Sequence, residues 1–182
     1  MDLVFVHPEI PHNTGCAARL AAATGVRLHL VEPLGFSLAD RYLKRAGLDY
    51  WPLVDLAVHP SWEDAAHALE RDRGRPLAER LRLFTARGGA SLFATPFAPD
   101  DVLVFGRESD GLPPALLAAH PERRVYIPIR SGVRSLNLAN AAALGLYTAL
   151  VAAGVPLPDN DGAYAPPAGR SDVRPLDVAR RP

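Results

Sequence analysis

Short hydrophobic runs alternate along the chain with stretches whose apolar residues recur at helical spacing. The apolar runs predict strands at residues 3–7, 27–31, 50–54, 81–85, 102–105 and 125–129. Helical periodicity and capping residues predict helices at residues 13–24, 37–46, 61–72, 112–119 and 137–153. Because strands and helices alternate, we expect an α/β fold with a mainly parallel sheet and helices on both faces.

Three polar segments interrupt this pattern, at residues 8–19, 104–112 and 127–147. Each segment follows a predicted strand and leads into a predicted helix. In open parallel sheets, ligands bind beyond the carboxyl ends of the strands. The pattern therefore predicts that the three segments form one ligand site.

The length and composition are those of a single globular domain. The chain has 182 residues, of which 48% are hydrophobic and 22% charged. Residues 155–182 contain six prolines and lack apolar periodicity. We therefore predict one domain at residues 1–154, followed by a proline-rich tail at residues 155–182.

Charge and cysteine content narrow the function only slightly. The formal net charge is zero, so nucleic-acid binding would have to come from local patches, such as the arginines around Arg130 and Arg134. The single cysteine, the absence of a signal-peptide pattern and the absence of a long apolar run predict a cytoplasmic protein with no membrane partner. The histidines have no metal-ligand spacing, so no metal site is predicted.

The first and third segments place amides and hydroxyls where helices begin. Asn13 allows a tight turn into the first helix, which carries Arg19; an asparagine cap with a surface arginine explains the same residues. Ser135 and Asn137 precede the last helix, whose free N–H groups favour a polar ligand. A capped, alanine-rich core helix explains residues 139–150 equally well, but it leaves the polar residues before them unexplained.

The second segment contains a glycine directly after a strand. Gly106 permits close approach of an adenosine or a phosphate to the backbone. Glu108 could accept a hydrogen bond from a ribose hydroxyl or fix the loop, and a plain turn with an exposed acid remains an alternative. The spacing matches neither a P-loop nor the GxGxxG fingerprint.

Taken in order, the three segments resemble the motifs of the SPOUT superfamily of knotted RNA methyltransferases. The matching stretches are NTGCAAR, FGRESDGL and IPIRSGVRSLNLANA. Further stretches resemble one subfamily, the tRNA (cytidine(34)-2'-O)-methyltransferases, and read PEIPHNTG, RLHLVEPLGF and LKRAGLDYW. The resemblance covers residues 3–153.

The resemblance implies a deep C-terminal trefoil knot, an obligate homodimer and S-adenosyl-L-methionine as methyl donor, with S-adenosyl-L-homocysteine as product. It implies cofactor contacts at Phe84, Thr85, Gly106, Glu108, Ile127 and Ser135. It implies catalytic or site-shaping roles for Arg19, Asn13, Ser135, Asn137 and Asn140. The implied RNA partner is the tRNA anticodon loop, contacted by Arg19, Arg130 and Arg134.

The implied reaction is transfer of a methyl group to the ribose 2'-hydroxyl of the wobble nucleotide, position 34. An arginine base at Arg19 is hard to accept, because the pKa of arginine stays above ~12 in proteins. We expect Arg19 to hold a phosphate and stabilise the developing alkoxide. The alternatives are 2'-O-methylation of another tRNA position or of ribosomal RNA, a non-catalytic knotted RNA-binding dimer, and a doubly wound enzyme acting on a small nucleotide.

Overall fold

A parallel sheet forms the centre of the computed structural model, which describes residues 1–38, 53–71 and 75–159. Within those residues seven strands form one sheet in the order β3-β2-β1-β6-β4-β7-β5, and every pair of neighbours is parallel. The strands are β1 (Asp2–Val6), β2 (Arg27–Val31), β3 (Leu56–His59), β4 (Leu81–Thr85), β5 (Ala90–Ser91), β6 (Val102–Phe105) and β7 (Arg124–Tyr126). This confirms the predicted α/β fold with a parallel sheet.

Helices cover both faces of the sheet. Alternate residues of each strand point to opposite faces, so each face has its own core beneath the helices. The helices are α1 (Pro11–Thr24), α2 (Trp62–Glu70), α3 (Leu77–Arg80), α4 (Pro114–Ala119) and α5 (Leu138–Ala152). Leu3 and Phe5 pack in one core with residues of α1 and α5, whereas Val4 and Val6 pack in a second core with residues of α2, α3 and α4. The pair α1 and α5 therefore lies on one face and the other helices on the opposite face.

Several element boundaries differ from the prediction. Of the strand predicted at residues 50–54, residues 53 and 54 are not in a strand and residues 50–52 lie outside the described residues. The next strand is Leu56–His59, which follows Asp55, the partner of Arg27 at 2.9 Å. The last strand ends at Tyr126 instead of residue 129, and Pro128 has no N–H to donate to a ladder. The predicted helix at residues 37–46 lies almost wholly outside the described residues.

The starts of the helices also differ. The helix α1 begins at Pro11, and Ile10 in the N-cap position makes no side-chain capping bond, so Asn13 and Thr14 are buried in its first turn instead of capping it. The helix α4 begins at Pro114 and not at residue 112. In α5, Asn137 is the N-cap residue, as predicted from its position before the apolar repeat. The short elements α3 and β5 were not predicted.

The last strand enters the sheet between two strands that precede it in the chain. The strand β7 pairs with β4 on one side and with β5 on the other. The Arg87 side chain, between β4 and β5, donates to the carbonyl oxygens of Ser131 (3.4 Å) and Val133 (2.8 Å), which follow β7. The loop after β4 is therefore tied to the loop after β7, at the carboxyl end of the sheet.

Candidate functional site

A cavity of about 480 Å³ opens at the carboxyl ends of β4, β6 and β7. Residues from all three predicted polar segments and from the end of β4 line it. Of the residues predicted for the site, those lining the cavity are Asn13, Phe84, Thr85, Gly106, Glu108, Ile127, Arg134, Ser135 and Asn137. The structure therefore brings together residues that are far apart in sequence.

Three predicted residues lie outside the lining of this cavity. Arg19 is exposed on α1, two turns after the start of the helix, and Arg130 is exposed in the loop that follows β7. Asn140 lines a neighbouring cavity of about 450 Å³ between α1 and α5, together with Asn13 and Asn137. These three asparagines thus lie along the junction of the two helices.

Stacked aromatic rings form one wall of the main cavity. The rings of Phe84 and Phe105 stack with centroids 4.2 Å apart and an interplanar angle of 18°. Gly145 of α5 lies against them, and a Cβ added there would come within 2.9 Å of the Phe84 ring. The glycine therefore lets α5 approach the two rings that close this side of the cavity.

Position 106 requires a glycine because the backbone of the same loop folds back against it. A Cβ at this position would overlap the backbone of Gly111 and Leu112, because residues 107–110 form a turn closed by a hydrogen bond from Gly111 N–H to the Arg107 carbonyl (2.9 Å). Gly111 has a φ of 76°, which a glycine adopts without strain. The group that approaches Gly106 closely is therefore the protein's own backbone, at Gly111 and Leu112.

The Glu108 carboxylate ties this turn to the start of α1. Its oxygens accept hydrogen bonds from the backbone N–H groups of Glu9 (2.8 Å) and Ile10 (3.3 Å) and from the Asn13 side-chain amide (2.8 Å). A carboxylate next to the free N–H groups at a helix N-terminus is favourable. Of the two roles considered for Glu108, the structure shows that of fixing the loop.

Asn13 continues the network to the last helix. Its Oδ1 accepts a hydrogen bond from Nδ2 of Asn137 at 3.0 Å. The Oδ1 of Asn137 in turn accepts from the backbone N–H groups of Ala139 (3.0 Å) and Asn140 (3.3 Å). Glu108, Asn13 and Asn137 therefore form one continuous hydrogen-bonded chain across the three segments.

Glu9 and Ser109 form a second link beside the first, and the sequence interpretation did not single them out. The Glu9 carboxylate accepts from the backbone N–H of Ser109 (3.0 Å) and from its hydroxyl (2.9 Å). The one available signal was that both residues lie inside stretches, PEIPHNTG and FGRESDGL, that carry the family resemblance.

A residue with a left-handed backbone conformation precedes the first polar segment, residues 8–19. His7, at the end of β1, has a φ of 55°, which is uncommon for a residue with a side chain. Burial, and secondarily the nearby Arg107 guanidinium, lower the pKa of His7 below its usual value. Both effects favour the neutral imidazole over its protonated form.

No metal-binding group of histidine, cysteine, aspartate and glutamate side chains occurs within residues 1–38, 53–71 and 75–159. In the same part of the chain, no helix is long and apolar enough to cross a membrane. The site consists instead of an apolar wall, hydrogen-bonded amides and carboxylates, and exposed arginines.

Residues 1–147 match the family described as the SpoU rRNA methylase family. The chain belongs to this family. The match covers the three polar segments and every strand of the described sheet. It also confirms the sequence-based assignment to the SPOUT methyltransferases.

Relatives within the family are similar over most of their length. A protein of Acidovorax sp. (strain JS42) named tRNA (cytidine(34)-2'-O)-methyltransferase is 48% identical over 148 residues, covering 81% of this chain and 88% of that protein. A solved structure from work on the 2-OH methylation of C/U34 on tRNA has a TM-score of 0.74 and 49% identity, covering 81% of this chain and 92% of its own.

A more distant SpoU-family structure contains a ligand. The SpoU methyltransferase AviRb from Streptomyces viridochromogenes was solved in complex with the cofactor AdoMet. It has a TM-score of 0.70 and 27% identity to this chain, covering 83% of this chain and 57% of its own. A relative with this fold therefore binds S-adenosyl-L-methionine.

Proposed function

We propose that this protein transfers the methyl group of S-adenosyl-L-methionine to the ribose 2'-hydroxyl of the wobble nucleotide, position 34, of tRNA, where the base is cytidine or a modified uridine. The observation that carries the proposal is the cavity at the carboxyl ends of β4, β6 and β7. Residues of all three family motifs line this cavity. The chain is also 48% identical to a relative named tRNA (cytidine(34)-2'-O)-methyltransferase.

The cavity fits the cofactor in size and chemistry. Its volume of about 480 Å³ lies inside the ~300–1,000 Å³ range of small-molecule sites. Phe84 and Ile127 supply apolar surface for an adenine ring, whereas Thr85 and Ser135 supply hydroxyls. Glu108 keeps acceptor capacity for a ribose hydroxyl, because each carboxylate oxygen has two lone pairs. When bound, the cofactor supplies an electrophilic methyl group on a sulfonium.

In this reaction the ribose oxygen would form a bond to the methyl carbon as the carbon–sulfur bond breaks, with that bond's electron pair left on the sulfur of S-adenosyl-L-homocysteine. The O–H bond of the ribose hydroxyl would break as well. The hydroxyl proton leaves to a phosphate or to water. The protein aligns the reactants, whose reacting atoms must approach to about 3–3.5 Å.

Arg19 is the residue we place beside the reacting hydroxyl. It is exposed on α1, the helix whose start is bound to the cavity loop through Asn13 and Glu108. A guanidinium there would hold the phosphate next to the target ribose and stabilise the developing alkoxide. Asn13, Ser135 and Asn137 would hold the cavity and α1 in a fixed relative position.

The RNA-binding surface would be formed by Arg19 together with Arg130 and Arg134 in the exposed loop after β7. The net charge of zero leaves phosphate contacts to such patches. The unstacked bases of an anticodon loop are open to edge contacts and stacking. Methylation should therefore weaken steeply as salt rises, because each neutralised phosphate releases counterions.

We also propose that the protein is a homodimer through the outer face of α1 and α5. Leu144, Tyr147 and Val151 lie at i, i+3 and i+7 on one face of α5, with 39%, 44% and 65% of their surface exposed. An apolar helix face of this kind favours association with a second copy.

The chain path after β7 supports the proposed trefoil knot. The strand β7 lies between β4 and β5, and Arg87 joins the loop after β4 to the loop after β7. We further propose that residues 1–154 form the methyltransferase domain, that residues 155–182 are a tail outside it, and that the protein works in the cytoplasm.

The proposal is tested by incubating the protein with labelled S-adenosyl-L-methionine and, in separate reactions, with total tRNA and ribosomal RNA. Labelling of tRNA, lost in Arg19→Ala, is the expected result. Labelling of ribosomal RNA alone would keep the chemistry and overturn the substrate. Tight cofactor binding without labelling of either RNA would favour a non-catalytic RNA-binding dimer.

A further inference from the structure

The turn at residues 107–110 is bound to the start of α1 by two carboxylates that point in opposite directions. Glu108, in the turn, accepts hydrogen bonds from the α1 side, and Glu9, before α1, accepts hydrogen bonds from Ser109 in the turn. The residues joined are about 100 positions apart in sequence. The junction is therefore a tertiary contact between the cavity loop and the helix that carries Arg19.

Among the described residues, Ser109 is the one hydrogen-bond partner of the Glu9 side chain, and Ser109 itself is exposed at the tip of the turn. The Glu9 backbone is held independently. Its N–H donates to Glu108, and Gly35 packs so closely on it that a Cβ on the glycine would come within 2.7 Å of Glu9 Cα. The backbone is thus fixed from two sides, whereas the carboxylate bonds only to Ser109 within the part of the chain that the structure describes.

We propose that Glu9 and Ser109 are positioning residues for methyl transfer, forming a clamp that sets the distance between the cofactor cavity and α1. The inference rests on the proposed function and deepens it. The turn lines the cofactor cavity, and α1 carries the arginine placed beside the acceptor hydroxyl. The clamp therefore controls the alignment of donor and acceptor and leaves cofactor affinity largely unchanged.

The clamp is suited to this task by its geometry. The Glu9 carboxylate binds the Ser109 N–H and hydroxyl through different oxygens, at 3.0 and 2.9 Å, which fixes both position and orientation. Hydrogen bonds to an ionised group are stronger than neutral ones. A displacement of about 1 Å in an aligned site can cost on the order of 100-fold in rate.

Two substitutions remove the clamp by different routes. Ser109→Ala removes the hydroxyl bond and leaves the backbone in place. Glu9→Gln replaces one acceptor oxygen with a donor nitrogen, which cannot accept from the Ser109 N–H. Ser109→Thr keeps the hydroxyl and is the conservative rescue. Glu63→Gln, at an exposed position on α2, is the matched control for loss of a carboxylate.

The experiment measures kcat and KM for tRNA methylation, cofactor affinity by calorimetry, and Tm for the full chain. We expect kcat to fall about tenfold or more in Ser109→Ala and Glu9→Gln, with cofactor Kd within about twofold of the wild type. The double variant should lose more kcat than either single variant, because Ser109→Ala removes the hydroxyl bond and Glu9→Gln removes the bond from the Ser109 N–H. Ser109→Thr and Glu63→Gln should retain wild-type kcat.

The failure of the clamp and that of the proposed function are distinguishable. An active wild type whose clamp variants keep full kcat, or change only cofactor Kd, would overturn the clamp alone. A wild type that binds the cofactor but methylates no tRNA would overturn the proposed function, and the positioning role with it.

Discussion

The Asn137 side-chain amide donates a hydrogen bond to Oδ1 of Asn13 across 3.0 Å, joining the starts of α5 and α1. The orientation of the Asn13 amide is determined by Glu108, because a carboxylate only accepts, and so the Asn13 nitrogen faces it. Asn137 therefore has two separate functions: it caps α5 through its oxygen and binds Asn13 through its nitrogen.

Asn137→Asp separates these two functions. Aspartate keeps the oxygen that caps the helix but has no nitrogen to donate to Asn13, so we expect Tm near the wild-type value and methylation reduced about tenfold or more. Asn137→Ala removes both functions and should also lose about 1 kcal/mol of stability. Thermal unfolding and methyl-transfer assays check both. Full activity in Asn137→Asp would show that the amide link is dispensable.

Gly106→Ala is expected to abolish cofactor binding. The added Cβ would overlap the backbone of Gly111 and Leu112, and the turn that lines the cavity would have to move. Gly132→Ala is the matched control, since a Cβ there meets no atom within 4 Å among the described residues. Calorimetric titration with S-adenosyl-L-methionine decides the matter. Equal affinity in the two variants would contradict the structural role given to Gly106.

Arg19→Lys tests whether a planar guanidinium is needed. A lysine keeps the charge but loses the bidentate geometry, so we expect a clear fall in kcat, and a larger fall of about 10²–10³ in Arg19→Ala. Arg27→Lys, at an exposed ion pair with Asp55, controls for the general effect of replacing an arginine by a lysine. Near-wild-type kcat in Arg19→Lys, with an unchanged pH profile, would exclude a specific guanidinium role.

The stability of the fold should depend on pH through His59. Burial, and next the adjacent His29 ring, lower the pKa of His59; Arg27 acts in the same direction, while Asp64 opposes it. Nδ1 of His29 and Nε2 of His59 lie 2.9 Å apart, beneath α2, with the buried Asp2 3.6 Å beyond Nε2 of His29. The folded state therefore disfavours protonation at His59, and the unfolded chain accepts a proton below about pH 6.5.

It follows that this contribution to stability is complete above about pH 6.5 and is lost as the pH falls below that value. We expect the midpoint of urea unfolding to drop between about pH 7 and about pH 5.5, and to drop less in His59→Gln. His67→Gln, exposed on α2, should behave like the wild type. A drop of equal size in His59→Gln would assign the pH dependence to other groups.

The sequence predicted the sheet well at β1 and β6, which are uninterrupted apolar runs, and at β4, where Arg82 lies between apolar residues. It failed at β3, which follows Asp55 instead of preceding it, and at β5, which has only two residues. Strand order was not predictable from periodicity. The insertion of β7 between β4 and β5 depends on pairings between residues far apart in the chain.

The residues of the site were easier to predict than their contacts. The motif stretches identified Asn13, Gly106, Glu108 and Asn137, all of which line one cavity. Sequence spacing could not show that Glu108 points towards α1, or that Glu9 returns the contact through Ser109. Such pairs become visible only when residues about 100 positions apart are brought together.

The central claim is methyl transfer to the 2'-oxygen of nucleotide 34, and one substrate pair tests it most directly. The protein is given labelled S-adenosyl-L-methionine and either a tRNA with cytidine at position 34 or the same tRNA with dC34, which lacks only the acceptor hydroxyl. We predict labelling of the first and none of the second. Equal labelling of both would contradict the account, because the methyl group would then go to another atom.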